Sequence, residues 1–140
     1  AIYDPEKLLR FLAEVKCTQV LFTPSLIQNI LESATAAQLA AGMKHMKQLL
    51  LCGEVVNWKL VHRLEAVNSN LRIFSEYSIA EIGTVTMGMI TEPPAGHKRA
   101  TCPVGWPDPH VKCWILDEDL RPVPLGSCGE LYVGGSGLGR

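Results

Sequence analysis

Apolar positions in the first half of the chain alternate between a helical period and short strand-like runs. Asp4-Pro5-Glu6 opens a helix, with Asp as N-cap, proline at the first helical position and an acid in the first turn. Leu8, Leu9, Leu12 and Val15 follow at helical spacing. Gln19 to Phe22 suits a buried strand, and Thr23-Pro24 caps a second helix through about Leu31. Thr35 to His45 is alanine-rich and reads as helical in part, broken near Gly42. Lys47 to Cys52, with Leu49, Leu50 and Leu51 in succession, reads as a central strand. Asn57 caps a further helix carrying Leu60, Val61, Leu64 and Val67, and Leu71 to Phe74 is the next strand. Strands separated by helices of this size predict right-handed crossovers and a parallel sheet.

The texture changes after Glu81. Ile82 to Ile90 is β-rich, Thr91 to Pro103 is a polar loop, and Val111 to Leu116 and Gly129 to Val133 read as strands around an Asp117-Glu118-Asp119 turn. The expectation is an α/β part over residues 1–90 and a β-rich part over residues 91–140, with the seam near residues 90–103.

Composition narrows the function. The 140 residues carry 13 Lys plus Arg, 14 Asp plus Glu and a net charge of −1, with no basic excess to neutralise phosphates along a nucleic acid or to face an anionic membrane. Neither a nucleic-acid nor a membrane partner is expected. The 47% hydrophobic content is that of a folded chain. The five cysteines include no C-x-x-C pair and suggest free thiols in a reducing, cytoplasmic setting. Cys102, His110, Cys113 and Cys128 match no common metal spacing, and neither do His45, His62, His97 and His110. Both ends read like chain interior, which predicts an internal slice of a longer protein.

Candidate chemistry gathers at three strand exits: Thr23-Pro24-Ser25, Cys52-Gly53-Glu54 and Ser75-Glu76-Tyr77-Ser78. In open parallel sheets ligands sit beyond the carboxyl ends of the strands, so neighbouring exits would line one crevice. Leu21, Leu50 and Cys52 would face that crevice or the core. Tyr77 offers a flat ring for a base, or is a core aromatic at a strand end. Glu81 is a carboxylate suited to Mg²⁺, or a solvated turn residue. Glu54 reads as structural, bonding backbone amides of its own turn, and Cys52 as a small core residue. The Gly134 to Gly139 run lacks the Lys-Ser/Thr of a phosphate loop and reads as a hairpin or loop.

The same residues resemble the adenylate-forming superfamily of AMP-binding enzymes, which includes peptide-synthetase adenylation domains, acyl-CoA synthetases and luciferases. Thr18 to Leu26 resembles the family's strand ending in a Pro-Ser or Pro-Thr turn, and Leu49 to Glu54 resembles its G-G-E turn. Phe74 to Glu81 resembles N-x-Y-G-P-T-E. Pro103-Val104-Gly105-Trp106-Pro107, Leu116-Asp117, Pro122 to Gly126 and Gly129 to Gly135 resemble the block that follows it, in wording closest to nonribosomal peptide synthetases. The resemblance implies an α/β fold: part of a parallel-sheet subdomain followed by a β-rich segment of a distorted barrel. It implies ATP or AMP and Mg²⁺ as ligands, a small carboxylic or amino acid as substrate, and phosphopantetheine on a carrier-protein domain as acceptor.

Carried over residue by residue, Tyr77 would stack on adenine, with Gly53 close to it and the Glu76 carbonyl accepting from the adenine amino group. Glu54, Ser75, Ser78 and Ala80 complete the nucleotide-binding positions, and Glu81 would hold Mg²⁺ and serve catalysis. The acid pocket maps onto Leu21, Leu50, Cys52, Glu76, Thr84 and Val85, which implies a substrate with an amine or other cation near Glu76. The chain departs from the pattern at Ser75, Ser78, Ile79 and Ala80, and at Cys52, which stands for the first glycine of G-G-E. Ala80 has no hydroxyl to bond a phosphate. The family's phosphate loop, ribose-binding Asp and closing Lys are not among these residues, so the segment alone is expected to be inactive. Two alternatives stay open: an acyl-CoA ligase or luciferase-like relative, and a degenerate module that binds nucleotide without catalysis.

Overall fold

The computed structural model describes residues 4–91 and 100–139. Each helix starts at the side-chain cap that the sequence supplies. In α1 (Pro5–Glu14) the Asp4 carboxylate accepts from the Lys7 amide. In α2 (Pro24–Ser33) the Thr23 hydroxyl accepts from the Leu26 amide, and in α4 (Trp58–Val67) the Asn57 side chain accepts from that of Leu60. The short α3 (Ala36–Gly42) is held by a reciprocal capping box between Thr35 and Gln38.

The strands are β1 (Gln19–Phe22), β2 (Gln48–Cys52), β3 (Arg72–Ile79), β4 (Gly83–Met89) and β5 (Trp106–Pro107), ordered β1-β2-β3-β4-β5 in one sheet. The first three run parallel, as the helical crossovers require. The expected parallel sheet is thus found in β1 to β3, and the β-rich chain that follows adds β4 and β5 to it antiparallel. Only the tight turn Ala80-Glu81-Ile82 separates β3 from β4, and so short a connection can return the chain only antiparallel. That hairpin also carries β3 past Phe74, where the apolar run ends. Pairing with β2 stops at Cys52↔Glu76, but β4 continues to bond the strand through Ile79. Much of the expected polar loop, including Pro93, Pro94, Gly96 and His97, lies outside the described residues.

The core lies on one side of the sheet. Leu49, Leu51 and Ile73 pack there with Leu9 and Leu12 of α1, Ile27 and Ile30 of α2, Leu39 of α3, and Leu60 and Leu64 of α4. Strand alternation turns Leu50 and Cys52 to the opposite side. By register Leu21, Phe74 and Met89 share that side with Leu50, while Glu76 and Met87 share it with Cys52. No helix among the described residues is long and apolar enough to cross a membrane. Beyond β5, β6 (Val111–Leu116) and β7 (Glu130–Gly135) form a separate two-stranded antiparallel ladder. Asp117 organises the first turn of their connection by accepting from the amides of Asp119 and Arg121.

Candidate functional site

At the carboxyl end of β2 the chain turns through Gly53 at φ +84°, a left-handed conformation that glycine adopts without Cβ strain. The demand for glycine is conformational here, since an added Cβ would meet only the Thr23 methyl, at 3.8 Å. The next residue ties two crossovers together. Glu54 Oε1 accepts from the Ser25 hydroxyl at 2.6 Å, and Oε2 accepts from the Ser25 amide at 2.9 Å. Glu54 therefore braces the neighbouring Thr23-Pro24-Ser25 turn rather than its own.

Downstream chain closes the opposite wall. The Trp58 amide donates to the Ala100 carbonyl at 3.1 Å and the Cys102 amide to the Val56 carbonyl at 2.8 Å. The Thr86 hydroxyl donates to the Val104 carbonyl at 2.8 Å. Between these walls lies a cleft of about 390 Å³, lined by residues 53–56, residues 75–78, Thr101, Cys102 and Val104. Its size falls within the roughly 300–1,000 Å³ of small-molecule sites. Tyr77 lines the cleft and is 38% exposed, so its ring is no core aromatic. Ser75 is buried beside it. Burial pushes the Cys102 thiol up to about 11, which leaves it protonated and unreactive at neutral pH.

The three expected exits resolve differently. Cys52-Gly53-Glu54 is a strand exit, and Thr23-Pro24-Ser25 supports it from outside the cleft lining. Ser75-Glu76-Tyr77-Ser78 is a length of β3 rather than a turn, with a bulge at Tyr77/Ser78. Thr101, Cys102 and Val104 are cleft residues that sequence reasoning missed, because they join the site only by long-range pairing.

The open sheet face carries a second group. Glu76 Oε1 accepts from the Thr84 hydroxyl at 2.8 Å, and Cys52 Sγ lies 3.1 Å from Ser78 Oγ. Leu21, Leu50, Cys52, Glu76 and Thr84 are thus on one surface. Val85 is fully enclosed, as the extra residue of the bulge opposite Tyr77/Ser78. Ala80 and Glu81 sit exposed on the β3–β4 turn. The Glu81 side chain makes no hydrogen bond or ion pair among the described residues. A single free carboxylate fits Mg²⁺, which takes one or two protein carboxylates and completes its shell with phosphate and water. No group of three or more His, Cys, Asp or Glu side chains gathers as a metal site among the described residues, Cys102, His110, Cys113 and Cys128 included.

A family model described as AMP-binding enzyme matches residues 1–140. The chain belongs to the AMP-binding enzyme family. Among curated relatives, a plipastatin synthase of Bacillus subtilis is 30% identical over 137 residues, covering 98% of this chain and 4% of that protein. Glycine betaine reductase ATRR of Emericella nidulans is 33% identical over 138 residues, 99% of this chain and 11% of its own length. The chain therefore spans a small part of the relatives it matches. Among solved structures, IdnL1 superposes with a TM-score of 0.84 at 26% identity, covering 96% of this chain and 27% of that one. The N-terminal subdomain of Klebsiella oxytoca NpsA, in complex with 3-hydroxybenzoyl-AMSN, superposes at 0.75 with 22% identity, covering 96% and 32%. The α/β fold expected from the sequence is therefore that of the N-terminal subdomain of adenylate-forming enzymes. AMP-binding enzymes use ATP or AMP, and the likeness to a plipastatin synthase agrees with the peptide-synthetase wording of the sequence.

Proposed function

We propose that this chain is the adenine-binding and part of the acid-binding portion of an adenylation domain that activates a carboxylic acid with ATP. The observation that carries the reading is the cleft beyond β2 and β3, which joins the Gly53 turn to the Tyr77 ring. Tyr77 stacks on adenine, Gly53 supplies a wall without a side chain, and the Glu76 carbonyl accepts from the adenine amino group. In the reaction a substrate carboxylate oxygen attacks the α-phosphorus, and the bond to the leaving pyrophosphate breaks. Mg²⁺ held by Glu81 would offset the phosphate charge that builds in that step. The phosphopantetheine thiol of a carrier-protein domain would then attack the acyl carbon of the adenylate, forming a thioester as the bond to AMP breaks and AMP leaves. Balanced charge and free thiols support a cytoplasmic setting.

Glu76 sharpens the substrate class. One of its oxygens is engaged by Thr84 and the other has no partner among the described residues, on a surface shared with Leu21, Leu50 and Met87. A partly buried carboxylate among apolar side chains favours a cationic ligand. The substrate is therefore an amino acid or another acid carrying a cation. ATP–pyrophosphate exchange on the full-length protein tests both statements. Exchange should appear with amine-bearing acids, fall at least about 10²-fold in Glu81→Ala, and shift toward neutral acids in Glu76→Gln.

Ala80 favours a second reading, a nucleotide-binding module without catalysis. The nearby Ser78 hydroxyl lies 3.1 Å from Cys52 Sγ. Nucleotide binding without exchange for any acid would select that reading.

A further inference from the structure

The glycine run at the end of β7 touches the site. The Gly139 amide donates to the Glu81 carbonyl at 2.7 Å. A Cβ on Gly139 would lie 3.3 Å from that same carbonyl oxygen, and one on Gly137 would lie 3.5 Å from the Ile82 oxygen and 3.6 Å from Ile82 Cγ1. The strap from Gly137 to Gly139 therefore lies along the turn that carries Glu81. Within that turn the local bond is long, from the Ile82 amide to the Ile79 carbonyl at 3.3 Å. Ala80 and Glu81 are exposed, so packing does not fix the turn either. The Gly139–Glu81 bond also ties residues 111–139 to residues 4–91.

We infer that Gly139 is a positioning residue, whose backbone N–H fixes the Glu81–Ile82 peptide and so aims the Glu81 carboxylate at its cation. A carbonyl held at 2.7 Å restricts rotation of the peptide plane, and with it the backbone angles that direct the Glu81 side chain. The β6–β7 ladder thereby contributes to the site without touching a ligand. This inference rests on the reading of Glu81 as the metal carboxylate.

The test measures ATP–pyrophosphate exchange against Mg²⁺ concentration on the full-length protein, with Glu81→Gln, Gly139→Pro and Gly139→Ala. Gly139→Pro removes the donor and should raise the Mg²⁺ needed for half-maximal exchange by about three- to tenfold, the cost of one hydrogen bond. Gly139→Ala keeps the donor but sets a Cβ 3.3 Å from the same oxygen, so its shift should be smaller than that of Gly139→Pro. An unchanged Mg²⁺ requirement in Glu81→Gln would overturn the metal reading itself. A shift in Glu81→Gln with none in Gly139→Pro would overturn the positioning role alone. Hydrogen exchange on the wild-type protein gives a check independent of the variants. The Gly139 amide should exchange more slowly than that of Gly137, and equal exchange would also overturn the inference.

Discussion

On the helix side of the sheet Leu49 and Leu51 are 0% exposed and Ile73 is 2% exposed, whereas on the other side Leu21, Met87 and Met89 stand at 52%, 42% and 51%. The two faces come from the same strands, one residue apart. The sealed face is built by long side chains from four helices, and at its end Ser75 and Tyr77 follow Ile73 along the same side of β3 into the cleft. The open face and the strand ends carry Cys52, Glu76, Ser78 and Thr84, whose polar groups bond one another rather than a core. The two-residue period of the strand thus separates the core from the Glu76–Thr84 and Cys52–Ser78 pairs, but not from the cleft around Tyr77. Substitutions on the two faces should tell them apart.

The largest contrast is Leu51→Ala against Leu21→Ala in the chain of residues 1–140. The first empties a fully enclosed site and should cost about 2–5 kcal/mol. The second trims an exposed side chain and should stay within about 0.5 kcal/mol. Urea unfolding followed by far-UV circular dichroism reads both, and equal costs would break the comparison.

Gly42→Ala probes how tightly the sealed side is packed. Its Cβ would fall 2.6 Å from Leu9 Cδ2, 2.8 Å from Leu9 Cβ and 3.1 Å from Leu9 Cα. The first contact can swing away, but the other two belong to the body of α1. The gain in helix propensity, about 1 kcal/mol, is opposed by overpacking of about 1–3 kcal/mol. A net loss of stability is expected, and a net gain in the urea midpoint would show that α1 and α3 can separate freely.

How far the sequence revealed this division depends on the range of the interaction. Every helix start was legible, because Asp4, Thr23, Thr35 and Asn57 cap within three residues of themselves. The strands β1 and β2 were legible from their apolar runs. The second half of β3 was not, since Ser75, Glu76 and Ser78 carry no apolar alternation and are held in a strand by β4. Tyr77 and Gly53 were placed by motif resemblance, but the wall formed by Thr101, Cys102 and Val104 left no local signal. The Ser25 partner of Glu54 stands 29 residues away in sequence, beyond any periodicity argument.

That brace gives the third prediction. Glu54→Ala removes the acceptor of the Ser25 amide and hydroxyl while leaving the core intact. The group is solvent-exposed, so the cost to stability should be modest, about 1 kcal/mol. The effect on the cleft should exceed it. Nucleotide affinity of the full-length protein, read by calorimetry with AMP, is expected to weaken more in Glu54→Ala than in Leu21→Ala. The reverse order would place the open face, not the braced turns, in control of the nucleotide.

The smallest effect lies at the rim of the sealed side. The Asp4 carboxyl is held below its ordinary value of 3.8, chiefly by the Lys7 amide and then by the Lys7 ammonium, 3.2 Å away. A carboxyl whose folded value is depressed stabilises the fold above its unfolded value, and that contribution fades as pH falls through the folded one. Asp4→Asn keeps a good helix cap and removes the charge. Wild type should therefore melt slightly higher than Asp4→Asn at pH 6, and the gap should close by about pH 2. A gap that persisted at low pH would mean that the cap works through hydrogen-bond geometry alone. The charge on α1 would then contribute nothing to the sealed side that the neutral amide does not.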